Sequence, residues 1–240
     1  MQSSLYIALS AQVALESRLE TIAQNVANGN TPGYRSTELK FDSVMSNLND
    51  PQVAYVSARN SFIKRGAGEL VKTGNPLDVA IKGDGWLSIS SPSGVAYTRD
   101  GRMRMNTSGE LVTLSGAPVL DAGGSAVQLD PSAGQPEIGP NGTITQGGKR
   151  TGGLGLFMLD KKAQLTRVQG GVISSIPGTP VLDTVANGVV QGYFEQSNVN
   201  PISEITRLIY VQRTFDGLGN TIQATESSLK NAIQTLGSSS

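Results

Sequence analysis

The chain of 240 residues contains no histidine and no cysteine. Without histidine it lacks the side chain that most often acts as a general base near neutral pH and the commonest metal ligand. Without cysteine it has no disulfides, no thiolate metal site and no thiol nucleophile. Aromatic residues are few, one Trp, six Tyr and five Phe, and no platform for stacking sugars stands out. Lys plus Arg and Asp plus Glu both number 19, which excludes the basic surplus that nucleic acid or an anionic membrane attracts. No apolar run approaches the roughly 18 residues of a spanning helix. The opening MQSSLYIALSAQVALESRLE has neither the basic start nor the unbroken apolar stretch of a cleaved signal peptide. These absences argue against an enzyme: no catalytic residues, metal site or cofactor are expected, nor a nucleic-acid partner or stable membrane insertion. The carboxylates of Asp78, Asp84, Asp100 and Glu110 fall beside glycine turns and read as turn residues.

What the chain does have is a matching pair of apolar stripes at its two ends. Leu5, Ala8, Gln12, Leu15, Leu19, Ile22 and Val26 follow alternating steps of three and four, which keeps one helix face apolar. Leu208, Val211, Phe215, Leu218, Ile222, Thr225, Leu229, Ala232 and Leu236 repeat that rhythm as a heptad seam. The first helix should end near Ala27, with Gly29 suited to a left-handed cap and Pro32 unable to continue it. Thr31-Pro32-Gly33-Tyr34 has the residues of a type II turn, so Gly33 should take positive φ. On that ground Gly33→Asn should be tolerated better than Gly33→Val, with the cost falling on assembly more than on folding. The amides of Asn25 and Asn28 suit either the last helical carbonyls or a neighbouring chain, and spacing does not choose between them. At the other end Asn200 can cap and Pro201 fits the first helical position.

Between the helices the rhythm changes to short runs bounded by glycine turns. LDVAI, GWLSIS, GVAYT, RMRMN and ELVTL predict a meander of strands, and further strands are expected at 143–145, 154–159, 164–168 and 172–176. Residues 35–75 read as an irregular connector, with a helical turn around Phe41–Leu48 and an alternating run from Val53 to Ile63. The expected fold class is α+β: terminal helices pairing as a coiled-coil stem, with a central all-β body. The expected divisions are 1–34, helix and turn of the stem; 35–75, connector; 76–194, β body; and 195–240, the second stem helix.

Four stretches occur in a fixed order: IAQNVANGNTPGYR at 22–35, TGNPLDVAIKGDGWLSI at 73–89, YTRDGRMRMNTSGELVTLSGAPVL at 97–120 and GYFEQSNVNPISEITRLIYVQRTF at 192–215. Together they resemble the flagellar basal-body rod and hook proteins of bacteria, and the chain's length resembles the proximal rod members more than the longer distal rod or hook members. The resemblance implies a structural subunit in the periplasmic part of the rod, exported through the flagellar type III apparatus without a cleaved signal. It implies that the terminal helices pair and then stack with copies of the chain and other rod proteins, so that torque passes through packed helices. The assembly residues it points to are Leu5, Leu15, Leu19, Ile22, Val26, Leu208, Val211, Phe215, Leu218, Ile222, Leu229 and Leu236, with Asn28, Thr31, Pro32, Gly33 and Tyr34 as the family-motif turn. The alternatives are a distal rod protein or, from another class, a secreted β-rich adhesive or carbohydrate-binding module.

Overall fold

Asn200 and Pro201 fix where the long C-terminal helix begins. In the computed structural model of the chain, which describes residues 2–46 and 53–237, Asn200 Oδ1 accepts a hydrogen bond from the Ser203 amide at 3.1 Å. The Asn200 carbonyl accepts one from the Glu204 amide at 3.0 Å. Pro201 then takes the first helical position, where no N–H is needed, and α2 runs from Pro201 to Gly237. The N-terminal helix, α1, spans Gln2–Ala27. Its exit differs from the expected left-handed glycine cap. Gly29 does not have positive φ; instead Thr31 N bonds to the Asn28 carbonyl at 3.1 Å.

The chain divides into two compact units. The first comprises Met1–Ala27, Thr37–Phe62 and Asn200–Ser240. Here α1 lies against α2 and against β1 (Thr37–Ser46), which forms a two-stranded sheet with β2 (Val53–Ile63). The helical turn expected around Phe41–Leu48 is therefore corrected to a strand through Ser46, and Leu48 lies outside the described residues. Phe41, Val44, Met45 and Leu48 mimic helical spacing, but Leu39-Lys40-Phe41-Asp42 alternates with period two, and the strand period wins. Within 35–75 the described residues therefore include regular strands at Thr37–Ser46 and Val53–Ile63, joined to β3 by the irregular stretch 64–69. Residues 28–34, read from sequence as the turn that ends the stem segment, group with the second unit, as do 35 and 36.

That second unit, Asn28–Ser36 with Ile63–Val199, is all β. Its strands are β3 (Leu70–Lys72), β4 (Val79–Ile81), β5 (Gly85–Ser91), β6 (Gly94–Thr98), β7 (Met103–Met105), β8 (Leu111–Thr113), β9 (Glu137–Ile138) and β10 (Thr143–Gln146). They continue as β11 (Lys149–Gly153), β12 (Leu156–Met158), β13 (Leu165–Val168), β14 (Gly171–Ser174), β15 (Thr179–Pro180), β16 (Val189–Gln191) and β17 (Tyr193–Glu195). The largest sheet has the order β13-β14-β6-β5-β12-β15. This corrects the expected meander: β5 and β6 do form a hairpin, but their outer neighbours come from the second set of strands. The physical reason is burial. Val79, Ile81, Leu87, Ile89 and Leu111 are each almost fully enclosed, and strands remote in sequence, carrying Ile144, Leu156 and Val189, contribute to the same packed cluster. The termini of the β chain return together, with β3 pairing β17 and β4 pairing β16, both antiparallel.

Gly217 and Gly219 lie inside α2, and a Cβ at either would meet nothing within 4 Å. Glycine in a helix interior costs about 1 kcal/mol relative to alanine. The double variant Gly217→Ala/Gly219→Ala is therefore expected to raise the thermal midpoint of the helical circular-dichroism signal of the isolated chain. A lowered midpoint would mean that the single chain itself requires glycine there.

Candidate functional site

Three stretches of the second unit, residues 28–36, 63–72 and 193–199, carry the chain into or out of it, and one carboxylate ties all three. Glu195 ends β17 and is 0% exposed. Its Oε1 accepts a hydrogen bond from the Gly68 amide at 2.8 Å and pairs with Arg35 Nη1. Its Oε2 accepts from Arg99 Nε at 2.8 Å and lies 2.6 Å from Arg99 Nη2. The Glu195 carbonyl accepts from the Gly33 amide at 2.8 Å. The remaining Arg99 N–H groups donate to the carbonyls of Gly83, Gly85 and Ile81, and Arg35 Nη1 also donates to the Gly66 carbonyl. Asn198 adds a second tie, accepting from Ser36 N at 2.7 Å and donating to the Gly66 carbonyl at 2.8 Å.

Two guanidiniums and one carboxylate in a water-poor site form a charged cluster that only mutual pairing can sustain. Burial pushes the Arg35 guanidinium down to about 10, against the pull of Glu195. Burial likewise lowers Arg99, again opposed by Glu195. Both stay charged near neutral pH. The planar fork of arginine suits this role because it meets a carboxylate and several carbonyls at once.

The motif turn packs directly against this cluster. Tyr34 N bonds to the Thr31 carbonyl at 3.2 Å, and Gly33 has φ +68°, as the type II pattern requires. Conformation is not its strictest constraint, however. A Cβ on Gly33 would lie 2.1 Å from the Asp100 amide nitrogen, a contact that must force backbone apart. Tyr34 and Arg35 are buried, and the Arg167 guanidinium sits 4.1 Å from the Tyr34 ring centroid while donating to the Arg35 carbonyl. The expectation that Gly33→Asn is tolerated better than Gly33→Val rested on φ alone; a Cβ of either residue meets the Asp100 backbone, and the turn belongs to the β unit, so the expectation of a cost mainly to assembly is corrected to a cost in folding.

In the first unit Asn25 is buried and bonded on both sides of Thr37, accepting from its amide at 2.9 Å and donating to its carbonyl at 2.9 Å. It also donates to Glu204 Oε2 at 3.3 Å, while Glu204 Oε1 accepts from Arg207 at 2.8 Å. The end of α1 thus meets the start of α2, so the two helices run antiparallel. On α2 the seam residues Leu208, Phe215, Leu218 and Ile222 are half-buried and Val211 is enclosed. On α1, Ile22 is buried and Leu15, Leu19 and Val26 are half-buried, but Ala14 and Asn25, outside the seam, are more enclosed than these three. The face is broader than one stripe because α1 packs on β1 as well as on α2. The side chains of Leu5 and Leu229 lie outside the described residues. Leu236 is 75% exposed. α2 has 37 residues and α1 26, so at about 1.5 Å per residue the last turns of α2 run beyond the reach of α1.

The charge cluster was missed in the sequence because Arg35, Glu195 and Arg99 sit in separate motifs, each beside a turn or strand end. The usable signal was a single charge at an inward strand position, Glu195 next to Phe194. Glu195→Gln is expected to lower the stability of the β unit by about 3–5 kcal/mol, because two guanidiniums lose their counter-charge in the interior. Chemical denaturation followed through Trp86 fluorescence reads this, and a loss below about 1 kcal/mol would contradict it. Gly33→Ala and Gly33→Asn should both destabilise the same transition, and a wild-type midpoint for the asparagine variant would show that the turn can move away from Asp100.

Three family models match the chain: the flagella basal body rod protein model at residues 5–35, the flagellar hook protein FlgE/F/G D1 domain at 80–146, and the flagellar basal body rod FlgEFG protein C-terminal model at 190–235. The chain is 46% identical to the flagellar basal-body rod protein FlgF of Mesorhizobium japonicum and 46% identical to that of Rhizobium meliloti, in each case over 100% of both chains. It is 30% identical to the flagellar basal-body rod protein FlgG of Agrobacterium fabrum, over 89% of this chain and 91% of that one. The matched segments contain the motif turn, Arg99 and the start of α2, and the identity of 46% over the whole chain is with FlgF members. The chain belongs to the flagellar basal-body rod protein family and is most like its FlgF members.

Proposed function

We propose that the chain is a structural subunit of the flagellar rod whose helices α1 and α2 form a coiled-coil stem that packs against the stems of neighbouring subunits. The observation that carries this reading is the apolar surface left on α2. Ile205, Ile209 and Tyr210 are exposed along it, Ile202 is 80% exposed at its start, and Ile233 and Leu236 are exposed at its end. On α1, Leu9 and Val13 are exposed one turn apart. Burying an exposed isoleucine yields about 1.5–3 kcal/mol, so these residues favour packing against further helices. The partners proposed are copies of the chain and other rod proteins, and torque passes through many such contacts. The site proposed for this is the periplasmic part of the rod, reached by way of the flagellar type III apparatus without a cleaved signal. No catalytic step enters this reading.

The test separates folding from incorporation. Ile209→Glu places a carboxylate on the exposed face of α2 and should leave the unfolding midpoint of the isolated chain unchanged while abolishing motility and recovery of the subunit in purified basal bodies, since the carboxylate would be desolvated among packed helices. Gln212→Glu, which replaces an exposed polar side chain, serves as the control and should be mild. Normal incorporation of the Ile209 variant would remove this face from the assembly.

A further inference from the structure

The β unit carries an apolar knob on its surface. Leu182 is 95% exposed and Val185 83%, three residues apart on one short turn that is held from both ends. Asp183 Oδ1 accepts from the Val185 and Ala186 amides at 3.1 and 3.2 Å, and the Asp183 carbonyl accepts from the Asn187 amide at 3.1 Å, the pattern of a helix cap. Asn187 Oδ1 accepts from the Asp84 amide at 2.9 Å, and the Gly188 carbonyl from the Lys82 amide at 2.8 Å. Docking a turn fixed in this way costs little further ordering.

The knob leads into β16, and past the far end of that strand lies a socket of about 370 Å³. Pro76, Pro136 and Tyr193 form its walls. Gln191 fixes their spacing: its Nε2 donates to the carbonyls of Pro76 and Pro136 at 2.8 Å each, and its Oε1 accepts from the Ile138 amide at 3.2 Å. Lys72 and Glu137 stand exposed on the socket rim, as Asp183 and Lys82 do beside the knob. Asp84, also beside the knob, acts on Arg35 and Arg99. Knob and socket therefore each offer one acidic and one basic neighbour, and opposite charges can pair on both sides of a contact. The extended β16 between them keeps the knob out of its own socket.

We propose that Leu182 and Val185 of one copy of the chain dock in the Pro76, Pro136 and Tyr193 socket of a second copy, with Asp183 facing Lys72 and Lys82 facing Glu137. Burial of two fully exposed apolar side chains drives the contact, and the rim charges set its orientation. Because knob and socket are different patches, the contact is head-to-tail and can repeat from copy to copy. It is carried by the β unit alone and does not rest on the helical packing proposed above.

The chain has no cysteine, so introduced thiols report the contact. Ala186→Cys lies on the knob and Gln135→Cys on the socket rim, both at exposed positions. When the two full-length variants are mixed, one carrying a mass tag, and oxidised gently, the mixed disulfide should form in clear excess over either like pair. It should also exceed the disulfide of Ala186→Cys with Lys162→Cys, an exposed control elsewhere on the unit. Adding Leu182→Asp to the knob variant should cut the mixed disulfide about tenfold, the scale set by losing the burial of one leucine, with an unchanged unfolding midpoint. The disulfide should persist when both copies carry Ile209→Glu, which separates this contact from helical packing. Equal yields for all pairings, a dominant disulfide between two knob variants, insensitivity to Leu182→Asp, or loss with Ile209→Glu would overturn the assignment.

Discussion

The carboxylate of Glu195 has to satisfy two enclosed guanidiniums and a backbone amide at once, and the β unit is organised around its doing so. Its oxygens hold Arg35 from the motif turn, Arg99 just after β6 and the Gly68 amide ahead of β3, while its carbonyl holds Gly33. The partners come from three separate parts of the chain, all remote from Glu195, so none of these contacts is local. A buried cluster of this kind is a weak source of net stability compared with apolar packing, but losing one member is costly. Its effect is therefore to make one arrangement of the three segments far better than any near neighbour. The close approach of Gly33 to Asp100 depends on it.

Much of the fold was legible in local pattern. The cap at Asn200, proline at the first turn of α2, positive φ at Gly33 and the strands at 85–91 and 94–98 all rest on short-range chemistry that sequence states directly. Along the α2 stripe Val211 is enclosed and Leu208, Phe215, Leu218 and Ile222 are half-buried. What sequence did not reveal depends on partners distant in the chain. β1 was hidden because its residues fit both a helical and a strand period. Asn25 was visible as a polar interruption near a helix end, yet its partners Thr37 and Glu204 emerge only when three elements meet. The charge cluster was hidden for the same reason, since nothing in Gly33-Tyr34-Arg35 says that its counter-charge lies 160 residues away.

The two units divide their chemistry. In the β unit buried charge is paired within the unit, Glu195 lying between Arg35 and Arg99, and apolar side chains such as Val79, Ile81, Ile89 and Leu111 are enclosed. In the helical unit the burial is shallower. Apart from Val211 the α2 seam is half-buried as far as Thr225 and exposed at Ala232 and Leu236, and apolar residues remain on its outer face. A fold with a self-sufficient β unit and helices that keep apolar surface available is what a subunit of an extended assembly requires, because the surfaces that join subunits cannot be used up inside one of them.

The most direct measurement of the central claim is native-state hydrogen exchange of the amides that bind Glu195 and its neighbours, those of Gly33, Ser36, Gly68 and Asn198. If the buried cluster locks the three segments together, all four exchange only through unfolding of the whole β unit, with the same free energy as the core amides of Leu87 and Leu111. Exchange of Gly33 and Gly68 through a low-energy local opening, while the core amides stay protected, would contradict the account.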